Sequence, residues 1–92
     1  MSRDRVCYTV RVHGRVQGVG FRYSTQAKAQ QLGIAGWVRN EPDGSVSVKC
    51  EGPDEAVRSF LSYLKQGPPT AEVISTEVKT AVPDGRGRFS VR

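Results

Sequence analysis

A chain of 92 residues, 37% hydrophobic and 25% charged, has the make-up of one globular domain over 1–92, which excludes disorder and a second core. No apolar run nears the ~18 residues of a membrane span, and Met1-Ser2-Arg3-Asp4-Arg5 leads into no signal-peptide core, so the cytosol is the expected compartment. Fourteen basic against nine acidic side chains give a net charge of +5, which favours anionic partners without choosing among phosphates, nucleotides, RNA and acidic lipid.

Val6, Tyr8, Val10 and Val12 alternate with Cys7, Thr9, Arg11 and His13, the period of a half-buried strand. Residues 14–20 then carry three glycines, in a loop that must bend sharply or approach something closely. A helix is expected over 21–32, with Phe21, Thr25, Ala29 and Leu32 on one face and Gly33 as its stop. Residues 34–40 read as a second strand and Asp43-Gly44 as a hairpin turn. Val46, Val48 and Cys50 are the inward positions of a third strand. Pro53, Asp54 and Glu55 open a second helix that buries Val57, Phe60, Leu61 and Leu64 and ends at Gly67 and Pro68-Pro69. A fourth strand over 73–82, a turn at 83–87 and a short strand over 88–92 complete the chain.

The order β-α-β-β-α-β with a terminal strand is the ferredoxin-like α+β plan: an antiparallel sheet with two helices on one face. The opposite face is expected to meet water, carrying Cys7, Thr9, Arg11, His13, Ser45, Ser47, Lys49 and Glu51 and no aromatic. Trp37 is expected to pack in or beside the core. Cys7 is out of phase with the valines of its strand and Cys50 in phase with its own, so the thiols lie on opposite faces and stay free. There is no CxxC pair, and two cysteines alone make no zinc site.

The chemistry concentrates where the glycine-rich loop enters the first helix. Successive loop amides and the positive end of the helix make an anion cradle. Arg22, in the first turn, adds a planar fork suited to phosphate oxygens. A flexible connection with a solvated arginine is the bland alternative. Tyr23 stands where a dinucleotide loop has its third glycine, and no Gly-Lys-Ser/Thr follows, so neither common nucleotide motif is met.

The strings GRVQGVGFR (14–22), LGIAGWVRN (32–40) and DGSV (43–46), with Gly52, resemble the acylphosphatase family over nearly the whole chain. The resemblance implies the same βαββαβ fold and hydrolysis of carboxyl-phosphate anhydrides to carboxylate and inorganic phosphate, without metal or other cofactor. It implies a small-molecule acyl phosphate as substrate. No nucleic-acid or membrane partner is expected, and with no obvious apolar patch or heptad to suggest assembly a monomer is expected. The resemblance places phosphate binding at Arg22, water orientation at Asn40, and the cradle on the amides of Gln17, Gly18, Val19, Gly20, Phe21 and Arg22.

Topology supports that pairing. In a βαβ crossover the first two strands run parallel, so the loop and Asn40 share one sheet edge, two strand spacings or roughly 9–10 Å apart. The chemistry is also within reach of such a site. An acyl phosphate expels a carboxylate whose conjugate acid has a pKa of about 4, so no general acid is required. Positioning and charge stabilisation suffice.

His13, the single histidine, is expected to be a polar residue of the open face rather than a catalyst. Tyr23 is expected to pack along its helix, with lining of the acyl side as the alternative. Glu41 would repel substrate if it pointed inward, and Arg15 and Arg39 are placed to steer anions. Two rivals share the plan. One is an RNA-binding module, disfavoured by the expected lack of aromatics on the open face. The other is an accessory domain like that of hydrogenase-maturation carbamoyltransferases.

Overall fold

Valine alternation sets the architecture. The computed structural model describes residues 4–85 and 87–92; residues 1–3, and Arg86 of the expected turn at 83–87, lie outside the described residues. The elements are β1 (Arg5–Arg15), α1 (Phe21–Leu32), β2 (Ala35–Asn40), β3 (Val46–Pro53), α2 (Asp54–Gln66), β4 (Glu72–Thr80) and β5 (Phe89–Val91). The sheet order is β4-β1-β3-β2-β5. Val10 pairs with Val48, which pairs with Val38, and Val12 pairs with Val46. All five point to one face and are buried. Both helices close over that face, α1 with Phe21, Thr25 and Ala29, α2 with Val57, Phe60 and Leu64. Phe60 meets Phe89 edge-to-face at 5.8 Å, the arrangement favoured by the ring quadrupole.

β1 and β2 are each antiparallel to β3 and therefore parallel to each other, which puts their C-terminal ends at one edge. β5 departs from the antiparallel expectation: it runs parallel to β2, making the sheet mixed. The reason lies in the route of the chain. After β4 it crosses near the starts of β1 and β2, with the Ala81 amide bonded to the Cys7 carbonyl and the Gly36 amide to the Arg88 carbonyl. It thus enters β5 in the direction of β2.

That crossing also covers part of the face expected to be open. Cys7 and Glu51 are both buried, at 5% and 2% exposure. Glu51 Oε1 accepts from the amides of Asp84 (3.1 Å) and Gly85 (3.4 Å), and Oε2 from Arg5 (3.5 Å). The Cys7 thiol lies 3.8 Å from the Val82 carbonyl. Glu51 thus fastens the returning strap to the sheet. Glu51→Ala leaves the two amides without their acceptor and is expected to cost about 1–3 kcal/mol, read as a lower urea midpoint at unchanged slope. Glu51→Gln, which keeps a carbonyl acceptor, is expected to lose less.

The cysteine parity holds. Cys50 faces the helices, Cys7 the other side, and both thiols are free. Burial raises the pKa of Cys7 and pushes that of Cys50 up to about 12, so both stay protonated at neutral pH. The placement of Trp37 is corrected. Its register partner is Lys49, so it stands half-buried on the face away from the helices. The open face therefore carries an aromatic after all. No helix among the described residues is long and apolar enough to cross a membrane.

Candidate active site

The chain leaves β1 through a register shift at His13/Gly14. Gly14 has φ of 134°, and a Cβ there would lie 2.1 Å from the Glu72 carbonyl oxygen, so only glycine passes this close to β4. Val16 then buries itself as an apolar foot for the loop. Gly18 and Gly20 adopt left-handed φ values of 72° and 78°, separated by Val19, which does not. Alternation of this kind turns successive amides toward one side. A Cβ at either glycine would meet nothing within 4 Å, so the constraint is conformational rather than steric.

Gly20 is also the N-cap of α1, and no side chain caps that end or places an acid in its first turn. The first-turn amides and the helix dipole are therefore left for an anion. α2 differs, with Asp54 and Glu55 in its first turn. Thr70 Oγ1 donates to the Val19 carbonyl at 2.6 Å and braces the loop from the α2–β4 connection.

Arg22 projects from the first turn. Its Nη1 donates to the Arg92 carbonyl at 2.6 Å, across 70 positions of sequence. One corner of the guanidinium is thereby fixed beside β5, while the fork carries further N–H groups for a ligand. Asn40, the last residue of β2, lines the same small cavity as Val16, Gly18, Gly20, Phe21, Arg22 and Tyr23, with a volume of about 210 Å³. Loop, arginine and asparagine thus meet as topology required. Larger hollows lie on the open sheet face, but this smaller cavity is the one lined by Gly18, Gly20 and the first turn of α1; Gln17 and Val19 of the expected cradle are not among its lining residues.

Gln17 has a role the sequence did not suggest. Its side-chain Nε2 donates to the carbonyls of Glu41 (2.8 Å) and Ser45 (2.9 Å), tying the loop to the β2–β3 hairpin. The same hairpin is closed by the Glu41 amide on the Ser45 carbonyl at 2.8 Å. That one amide side chain thus ties the loop to the hairpin that follows Asn40.

Glu41 is held by Arg39, whose Nε donates to its carboxylate at 2.8 Å. That hydrogen bond, with a second from Ser47, keeps the carboxyl below its ordinary pKa. His13 bonds Glu77 at 2.9 Å on the open sheet face. Tyr23 does not pack along the helix: it is 67% exposed and lines the cavity beside Arg22. Arg15 is exposed at the end of β1.

Loop glycines, an uncapped helix end, one guanidinium and, from another strand, one neutral side-chain amide thus border a single cavity. The acylphosphatase family model matches residues 8–91 of the chain. An acylphosphatase from Thermococcus kodakarensis is 48% identical over 87 residues, covering 95% of this chain and 96% of that one. Among solved structures, the Bacillus subtilis acylphosphatase is 42% identical with a TM-score of 0.91, covering 95% of this chain and 98% of that one. The acylphosphatase from Coxiella burnetii is 34% identical with a TM-score of 0.92 and full coverage of both chains.

Proposed function

We propose that this chain, which belongs to the acylphosphatase family and hydrolyses acyl phosphates to carboxylate and inorganic phosphate, holds the phosphoryl group on the amides of Gln17 to Arg22 and on the Arg22 guanidinium, and aims the attacking water with Asn40. The carrying observation is the uncapped N-terminus of α1, flanked by two left-handed glycines and opening on the cavity that Arg22 and Asn40 share.

The division of roles follows from charge. The transferred phosphoryl group spreads negative charge over its equatorial oxygens, which backbone N–H groups and a guanidinium stabilise without reorganising. Water needs orientation more than activation, and the leaving carboxylate departs unprotonated. A phosphate oxygen of the substrate takes the water's proton, so no protein base is called for. Tyr23, exposed at the mouth, borders the acyl group. The chain acts as a single unit over 1–92, as a monomer in the cytosol, where two free thiols suit the reducing conditions.

The test is a titration with inorganic phosphate followed by amide NMR. The largest shifts are expected at residues 17–22. Unmoved loop amides at saturating phosphate would overturn the cradle. In parallel, acetyl phosphate hydrolysis is expected to persist in excess chelator.

Gln17→Ala is expected to act through geometry. Releasing the hairpin from the loop displaces Asn40 relative to the phosphate by a fraction of the ~1 Å that costs about 100-fold in rate. A fall in kcat of about tenfold is expected, with a smaller change in phosphate inhibition. A loss confined to stability, with kcat intact, would make Gln17 structural only.

A further inference from the structure

The sheet face opposite the helices carries a second constellation that hydrolysis does not use. Trp37 stands on this face with the Arg39 guanidinium 4.8 Å and the Arg92 guanidinium 5.0 Å from its ring centroid. Beside it a hollow of about 480 Å³ is lined by Trp37, Arg39, Ser47, Thr9, Arg11 and Lys79, with Val10 and Glu77 completing it. This volume falls within the ~300–1,000 Å³ of small-molecule sites. The register explains the cluster. Trp37, Lys49, Thr9 and Lys79 form one row across four strands, and Arg39, Ser47, Arg11 and Glu77 form the next.

The chemistry of this face suits an aromatic anion. An indole stacked with guanidinium groups is a platform for a planar base, since bases stack on both ring and guanidinium planes. The phosphate-binding cations sit away from the ring rather than on top of it. Arg11 is two strand spacings from Arg39, roughly 10 Å, about the reach from a base through a ribose to a diphosphate. Thr9 and Ser47 place hydroxyls between them. Three carboxylates border these cations: Glu77 is engaged by His13 at 2.9 Å, Asp43 pairs with Arg11 at 3.4 Å and Glu41 with Arg39 at 2.8 Å, so a diphosphate takes Arg11 in exchange for the exposed Asp43. Single-stranded RNA would need successive aromatics for successive bases. This face offers one, because Trp37 is the chain's only tryptophan and no tyrosine or phenylalanine lines the hollow.

We infer that the open sheet face is a binding site for a nucleoside diphosphate, with the base at Trp37 and Arg39 and the phosphates at Arg11 and Lys79. The site is separate from the phosphoryl cradle, which lies at the sheet edge among the residues of the loop and Arg22.

Trp37 makes the test direct, because all indole emission reports this site. Adenosine diphosphate, without divalent metal, is expected to quench the emission saturably with a Kd below about 1 mM, whereas adenosine or inorganic phosphate alone does so far more weakly. Saturating inorganic phosphate is expected not to compete. Lys79→Ala, an exposed change outside the hydrolytic machinery, is expected to raise the Kd about tenfold, as for loss of one charged hydrogen bond, with acetyl phosphate turnover unchanged. Trp37→Leu, followed by calorimetry, is expected to lose binding. Absence of saturable quenching overturns the inference. So does displacement of the diphosphate by inorganic phosphate, which would put it in the cradle, and so does a uridine decamer binding more than tenfold tighter, which would make the ligand a nucleic acid.

Discussion

Arg22→Ala is expected to abolish phosphate binding and turnover together. Its guanidinium is the charged donor that lines the cavity with the loop glycines, and its anchor on the Arg92 carbonyl holds it in place before substrate arrives. Arginines that stabilise a phosphoryl transition state contribute about 10³–10⁵ in rate, so kcat/KM is expected to fall by at least about 10³-fold. Competitive inhibition by inorganic phosphate should weaken in parallel, because the same group meets ground-state and product oxygens. Arg22→Lys keeps the charge but not the fork or the carbonyl anchor and should recover only part of either. Loss of turnover with intact phosphate inhibition in Arg22→Ala would show that the loop amides alone bind phosphate and that the arginine acts later. Folding is not expected to be at stake, since the Arg22 bond to Arg92 lies at the exposed surface.

How far this site was legible in the sequence depended on how local each signal was. The limits of α1 read directly as 21–32, from a helical face of Phe21, Thr25, Ala29 and Leu32 and from Gly33 as its stop, which the structure finds left-handed. The meeting of the loop with Asn40 was also legible, since strand parity and one crossover put both at the same sheet edge. Trp37 was not. The run Ile34-Ala35-Gly36-Trp37-Val38 is apolar throughout, so periodicity cannot say which residues face the helices. Pairing with β3 decides it: Val38 opposes Val48, and Trp37 goes to the other side. The burial of Glu51 and Cys7 depended on a strap that arrives some 33 positions after Glu51 in sequence. The fastening of Arg22 depended on a carbonyl 70 positions away. Gln17 lies in the loop itself, yet its side chain turns outward to the hairpin, a role that no spacing encodes. Alternation and turn chemistry are local rules, and they recovered the elements. Contacts closed by the last fifteen residues were beyond them.

Asn40→Ala is expected to separate what Arg22→Ala loses together. Asn40 comes from β2 and the cradle from the β1–α1 loop, so phosphate keeps its main-chain donors and its guanidinium when the amide is removed. Inhibition by inorganic phosphate is therefore expected to stay within about threefold of wild type, less than 1 kcal/mol. kcat, in contrast, should fall by about 10²–10³-fold, the loss typical when one polar group that acts in the transition state is deleted. Asn40→Asp is the sharper variant. It is nearly the same shape, but a carboxylate beside the phosphoryl group repels it, so phosphate affinity should fall where Asn40→Ala leaves it intact. The pH–rate profile completes the argument. With the substrate's own oxygen as proton acceptor, wild type and Asn40→Ala should show the same shape near neutrality. His13→Ala should not alter it, because His13 is occupied with Glu77 on the open sheet face. A neutral-pH step that disappears with His13, or a loss of phosphate affinity in Asn40→Ala equal to that in Arg22→Ala, would mean that the water is activated by a protein group or that Asn40 is part of the anion grip.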